Sequence, residues 1–248
     1  MNGAERPDPV ALRTFVQDRR EAMLELLARL TRAESPSDVP ESQAEVRSII
    51  ATELEQRGFA VRRVPGRSSG GMLHARPAAA GRPAQLILGH YDTVWPLGTL
   101  DDMPFEARDD AVHGPGVYDM KGGIAQALMA LDALAHFGLE PSVAPHIFLN
   151  SDEEIGSRES RRYIERLAPL MDRVFVLEPS LGPSGKLKTA RKGIGRFTVT
   201  VTGEAAHAGL DPGAGPGGAC LSRPRPGHPR LRGQTSFPGR RAGPVRRH

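Results

Sequence analysis

Apolar positions along the chain alternate between a helical and a strand-like period. From about Val10 to Arg32 they fall at Leu12, Phe15, Val16, Met23, Leu26, Leu27 and Leu30. That spacing is close to the helical turn, and Asp8-Pro9 offers a start, so one helix is predicted here. ESPS at 34–37 reads as a loop. A second helix is expected from about Glu41 to Arg57, stopped by Gly58. FAVRRV and GMLHARP read as short strands around the loop PGRSSGG, and GRPAQLILGH as a buried strand after a Pro/Gly turn. The glycine-rich stretch HGPGVYDMKGG, residues 113–123, leads into IAQALMALDALAHFG, a helix apolar on most faces and therefore buried. VAPHIFLN is a strand, SRESRRYIERLAPL an amphipathic helix, and MDRVFVLEPS a strand ending at Glu178. Strands alternating with helices predict an α/β fold, a mostly parallel sheet flanked by helices.

The pattern then changes twice. In KLKTARKGIGRFTVTVTGEAAHAG, the alternation of Phe197, Val199 and Val201 suits an antiparallel strand with one exposed face. A domain boundary is placed near Gly185, with residues 1–185 before it and the start of a second domain at 186–212. From Gly213 to His248, 22 of 36 residues are Gly, Pro or Arg, with no helical or strand period. Such a segment buries too little apolar surface to offset its ordering entropy, and disorder is expected.

Charge supports the division. The net charge is +4, yet the last 36 residues hold eight arginines and no acidic residue. Without those eight, 25 basic residues face 29 acidic ones, a net of −4. The basic character belongs to the tail, so the whole chain does not read as a nucleic-acid binder. The tail's irregular spacing and its single aromatic, Phe237, argue against nucleic acid there as well. No apolar run approaches membrane-spanning length, and the start shows no secretory signal, so a cytoplasmic protein is the default. Cys220 is the only cysteine, which excludes an intrachain disulfide and a cysteine metal site.

Chemistry gathers at predicted strand ends. His90 and Asp92 follow LILG, Glu153 and Glu154 follow HIFLNSD, and Glu178 follows RVFVL, while Asp119 stands between a glycine-rich turn and a helix. In an open α/β sheet the ligand crevice lies outside the carboxyl ends of the strands. Each residue alone has an ordinary reading: a solvated strand end for His90 and Asp92, a helix cap for Asp119, an acidic turn for Glu153 and Glu154, a surface carboxylate for Glu178. Brought together without a cation, the carboxylates would raise one another's pKa. Two metal ions about 3.5–4 Å apart, sharing one carboxylate, resolve that repulsion. His, Asp and Glu without thiolate suit catalytic zinc, with cobalt or manganese as alternatives.

GHYDTV, GPGVYDMKGG, SDEEIGS, LEPS and TGEAAHAG, in this order, resemble the glutamate carboxypeptidase branch of the co-catalytic zinc peptidases. That superfamily includes acetylornithine deacetylase, succinyl-diaminopimelate desuccinylase and the aminoacylases. The resemblance runs from about Val10 to Pro212. It implies a zinc-exopeptidase-like catalytic domain followed by an α+β lid or dimerisation domain, and a homodimer. His90 matches a ligand to one zinc and Asp92 its orienting partner. Asp119 matches the carboxylate bridging both metals, Glu154 a ligand to the second zinc, and Glu178 a ligand to the zinc that His90 holds. Glu153 matches the general base. His207 matches a histidine that reaches the partner subunit's site to stabilise the oxyanion. The implied reaction is hydrolysis of the amide of a small peptide or N-acyl amino acid, with glutamate expected at the carboxyl end; an acetylornithine-type deacylase and a non-catalytic fragment are the alternatives.

The sequence departs from the family after AAHAGLDP. The resemblance implies a completed lid, a return to the first domain and one last metal-binding histidine. His228 and His248 have no strand-end context and take no role. The abrupt loss of Asp, Glu and Lys leads us to expect a frameshift or truncation just after Asp211 or Pro212, with an uncovered sheet edge, an aggregation hazard, and little or no turnover.

Overall fold

The helical period from Val10 to Arg32 is realised as two helices. In the computed structural model, which describes residues 7–78, 83–108, 111–182 and 184–190, α1 spans Pro9–Asp18 and α2 spans Arg20–Arg32. The Asp8 side chain accepts from the Val10 amide at 3.1 Å and starts α1. Arg19, at φ −103° and ψ 9°, separates the two. The break lets each helix aim its own stripe: Phe15 packs with Met129 and Ala133, while Leu26 and Leu30 enter the main core.

The second helix, α3, is Ala44–Gln56, entered through a 3-10 turn at Pro40–Gln43. The remaining elements follow in order: β1 Phe59–Val64, β2 Met72–Pro77, β3 Ala84–His90, the short α4 Thr99–Asp102, β4 Glu106–Arg108, β5 Ala111–His113, α5 Gly122–His136, β6 Ala144–Asn150, α6 Arg161–Leu167 and β7 Arg173–Val176. The pair β4–β5 was not foreseen, because three-residue strands carry no readable period. Helix α6 is shorter than its amphipathic pattern. The Asp152 carboxylate accepts from the amides of Glu159 (2.7 Å) and Ser160 (3.1 Å), holding those residues in a turn before the helix.

The main sheet has the order β1-β2-β6-β3-β7. Strands β6, β3 and β7 are parallel; β1–β2 and β2–β6 are antiparallel. The sheet is therefore mixed, and parallel in the half that carries the chemistry. Connection length explains the split. The short loop PGRSSGG permits only an antiparallel neighbour, whereas the route from β3 to β6 is long enough to carry α5 as a crossover.

One face of the sheet packs against α2, α3 and α5 through Leu30, Val46, Ile50, Leu54, Leu73, Ile124, Leu128, Ile147 and Leu149, all essentially buried. Each such side chain contributes about 1.5–3 kcal/mol by leaving water. The other face sets Met72, Leu86 and Phe148 against Tyr163, Ile164 and Leu167 of α6. Strand alternation explains the division along β6, where Ile147 and Leu149 point one way and Phe148 the other. Among the described residues, strand β7 forms one edge, and its Val174, Phe175 and Val176 are exposed. No helix among the described residues is long and apolar enough to cross a membrane. The strand expected around Phe197, Val199 and Val201, the tail from Gly213, and His207, His228 and His248 lie outside the described residues.

Candidate metal centre

Parallel register brings the candidate residues to one place. His90 pairs with Asn150 across β3–β6, and Leu88 pairs with Val176 across β3–β7. Beyond the strands the ladder continues, with Tyr91 donating to the Asn150 carbonyl at 3.0 Å and Leu177 to the Leu88 carbonyl at 2.9 Å. Three carboxyl ends therefore stop level, and Glu153, Glu154 and Glu178 follow within a few residues.

Asp119 arrives from a kinked turn, Val117–Lys121, in which Asp119 and Met120 leave helical backbone and share a cis peptide bond. Two glycines make room for it. Gly116 has φ +70°, and a Cβ there would lie 2.6 Å from Thr93 Cγ2. A Cβ on Gly123 would lie 2.2 Å from the Leu177 carbonyl oxygen, so glycine lets the start of α5 reach the chain just before Glu178.

His90 is the centre of the cluster and is 1% exposed. Its Nε2 lies 3.1 Å from Asp119 Oδ1, 3.4 Å from Glu178 Oε1 and 4.0 Å from Glu153 Oε2. Its Nδ1 lies 3.0 Å from the main-chain oxygen of Asp92 and 3.4 Å from that residue's Oδ1. The ring is thus oriented first by the Asp92 carbonyl, and the carboxylate adds its charge from slightly farther away. Burial alone would lower the imidazole pKa. The carboxylates of Asp92, Glu178 and Glu153 outweigh it and push the pKa up to about 11.

The glutamates feel the opposite pressure. Burial raises the Glu154 pKa to about 7, against the pull of His90 and with the repulsion of Asp119, Glu153 and Asp92. Glu153 is raised for the same reason, burial first. The side chains of Asp119 and Glu153 are 51% and 47% exposed, so the site has a buried floor and an open mouth.

The donor atoms fit a divalent ion. Ligand atoms of His90, Asp119 and Glu154 lie within 4.8 Å of one another, and so do those of His90, Glu153 and Glu178. One imidazole nitrogen with carboxylate oxygens and no thiolate is a donor set for zinc, cobalt or manganese. Neither triple is the set expected for the first metal, His90 with Asp119 and Glu178.

Comparison with known proteins now bears on these residues. Residues 86–214 match the model of peptidase family M20/M25/M40, just over half of the chain. The chain belongs to this peptidase family. The family match begins inside β3 and includes every candidate residue from His90 to His207. The chain is 33% identical over 200 residues to carboxypeptidase G2 of Pseudomonas sp. (strain RS-16), covering 80% of this chain and 48% of that protein. It is 33% identical over 172 residues to succinyl-diaminopimelate desuccinylase of Maricaulis maris (strain MCS10), covering 64% of this chain and 43% of that one. The chain thus spans about half the length of these peptidase-family relatives. In fold it is similar to human carnosine dipeptidase 1, with a TM-score of 0.60 at 17% identity over 68% of this chain and 41% of that one. An M20 family metallo-carboxypeptidase from Sulfolobus solfataricus gives a TM-score of 0.56 at 22% identity, over 68% of this chain and 39% of that one.

Sequence reasoning missed two buried residues beside the centre. Ser37 lay in what read only as a loop; its hydroxyl donates to Asp92 Oδ2 at 2.7 Å. Lys121 is 1% exposed, and its Nζ donates to the carbonyls of Leu30 (2.8 Å) and Ala33 (3.0 Å) at the end of α2. Burial lowers its pKa to about 7 despite the attraction of Glu34 and Asp92. The signal available in the sequence was a charged residue flanked by Met120 and Gly122 at the mouth of an apolar helix.

Proposed function

We propose that this chain carries the metal-dependent centre of an amidohydrolase that cleaves the amide of a peptidyl or N-acyl amino acid, with glutamate preferred at the carboxyl end. The observation that carries it is His90 Nε2 within 4.0 Å of three carboxylates from three separate segments. Two zinc ions are the proposed complement, held by His90, Asp119, Glu154 and Glu178. Bound there, divalent ions supply Lewis acidity that polarises a carbonyl and lowers the pKa of water toward about 7. Glu153 is the proposed general base. Burial and its acidic neighbours raise its proton affinity, which suits a group that takes a proton from water and returns it to the leaving nitrogen near neutral pH. Asp92 keeps the imidazole in place. His207, within the family match, is proposed to face the developing oxyanion from a second domain, in a homodimer.

The relatives support the substrate class. One bears the name of a carboxypeptidase and another that of a desuccinylase, names that fit the general reaction of amide hydrolysis. A deacylase of the acetylornithine type is the neighbouring reading. Metal binding is the primary test: the chain is stripped with a chelator, titrated with zinc, and its bound metal counted by elemental analysis. We expect saturable binding that is lost in Asp119→Asn. Failure to hold zinc, cobalt or manganese sinks the proposal. A panel of peptidyl-glutamates and N-acyl amino acids then separates the two substrate readings.

A further inference from the structure

The Asp92 carboxylate serves more than the imidazole. Its Oδ1 accepts from the Glu153 amide at 3.3 Å, and its Oδ2 from the Glu154 amide at 3.2 Å and from the Ser37 hydroxyl at 2.7 Å. Oδ1 also faces His90 Nδ1 at 3.4 Å. A carboxylate offers about four acceptor sites; three are filled by these hydrogen bonds and the remaining side faces the imidazole, at a residue 0% exposed. Asp92 therefore bolts the β3 end that bears His90 to the turn that bears Glu153 and Glu154. The shortest of these contacts comes from Ser37.

Ser37 belongs to a short segment, residues 33–37, that is joined to three of the arms that bear the site. Ser35 Oγ donates to the Tyr91 carbonyl at 2.6 Å, and the amides of Ser37 and Thr93 complete a bridge with Thr93 O (3.1 Å) and Ser35 O (2.9 Å). Lys121, two residues past Asp119, donates to the Ala33 carbonyl. Gln43 Nε2 donates to the Pro36 carbonyl at 2.9 Å and to the Ser151 carbonyl at 3.3 Å. The segment that follows α2 is thus joined to the strand end, to the Asp119 turn and to the approach to Glu153.

We propose that Ser37 is a positioning residue for the metal centre: by holding the Asp92 carboxylate it fixes the separation between His90 and the Glu153–Glu154 turn. The role rests on the metal-centre reading above. Partners that orient a ligand are typically worth 10–100-fold in metal affinity. The control is Ser42→Ala, which removes a hydroxyl contact of the neighbouring loop, Ser42 Oγ to the Val39 carbonyl at 2.8 Å, without touching Asp92.

The experiment has two arms on the full 248-residue chain. In the first, the backbone amide signals of Glu153 and Glu154 are followed by NMR in the metal-free protein. Ser37→Ala should shift both and speed their hydrogen exchange by about 10-fold, and Ser42→Ala should leave them in place. In the second, Co2+ is titrated and its visible absorption recorded. Ser37→Ala should weaken binding by about 10-fold and alter the spectrum, while Ser42→Ala matches the parent. Unmoved Glu153 and Glu154 amides overturn the positioning role whatever the metal does. Equal Co2+ affinity in Ser37→Ala and the parent overturns it too, as does an equal loss in both variants. A parent that binds no Co2+ at all overturns the metal-centre reading itself.

Discussion

Two halves of one sheet hold histidines in opposite company. At the end of the parallel half, His90 meets carboxylates of Asp92, Asp119, Glu153 and Glu178, and its pKa rises to about 11. On the antiparallel side, His74 on β2 and His146 on β6, the strand that both halves share, stand in mid-strand with ring centroids 5.7 Å apart. There the register places Arg62 directly across from His74. Burial lowers the pKa of both imidazoles, and the positive neighbours add to it: His146, Arg76 and Arg62 for His74, and Arg76 for His146. Burial acts in the same direction on all three rings. The sign of the partners decides the outcome, and position in the sheet decides the partners. Strand ends gather loops from distant sequence, whereas strand middles meet only what lies across the ladder.

The largest expected effect breaks the comparison at its acidic end. His90→Asn should weaken zinc binding by more than about 100-fold, beyond what loss of a supporting partner does. His146→Phe should leave zinc affinity unchanged. Isothermal titration of both variants decides this; comparable losses would show that the two environments are not functionally distinct. A second effect, read in stability, concerns the buried lysine beside the acidic end, whose hydrogen bonds go to carbonyls and not to carboxylates. Lys121 serves the carbonyls of Leu30 and Ala33, so Lys121→Met leaves two acceptors at the end of α2 without that donor. The expected cost is about 2 kcal/mol of stability, and Lys121→Ala, which adds a cavity, costs about 4 kcal/mol. Urea unfolding measures both, and a Met variant as stable as the parent would remove Lys121 from the account.

The two halves were not equally legible. That His90, Glu154 and Glu178 stand at one end of the sheet was legible because each follows an apolar run that ends abruptly, and strand termination is visible in one dimension. The strands themselves were equally clear, β3 and β6 almost to the residue. Their directions were not. The mixed sheet depends on β2 inserting beside β6 instead of beside β3, and nothing in the apolar period records which neighbour a strand chooses. The break at Arg19 was hidden for a similar reason: both α1 and α2 keep the helical period, and only the different targets of Phe15 and Leu30 separate them. Asp92 was found, but its work was only partly read. A sequence shows that it can face His90; it does not show that the Ser37 hydroxyl and the Glu153 and Glu154 amides converge on the same carboxylate. Ser37 lies 55 residues away and carries no period at all.

The smallest effect sharpens the comparison at its basic end, through pH. The pKa of His74 and of His146 lies below the ordinary imidazole value in the folded chain. As pH falls below about 6.5, the unfolded chain takes up protons that the folded one resists, so these two residues lower stability under acid conditions. His90 works the other way: its raised pKa favours the folded state at low pH and loses that benefit only as pH rises toward about 11. The parent therefore shows the sum of opposing slopes, and only a difference isolates the basic end. His74→Phe keeps an aromatic ring against Phe148, which lies 6.4 Å away between centroids, and removes one titrating group from beside Arg62 and Arg76. Between about pH 7.5 and pH 5.5, the urea midpoint of the metal-free variant should fall less than that of the parent. A variant that falls as much or more shows that His74 is protonated as readily folded as unfolded, and the contrast between the two halves of the sheet then reduces to His90 alone.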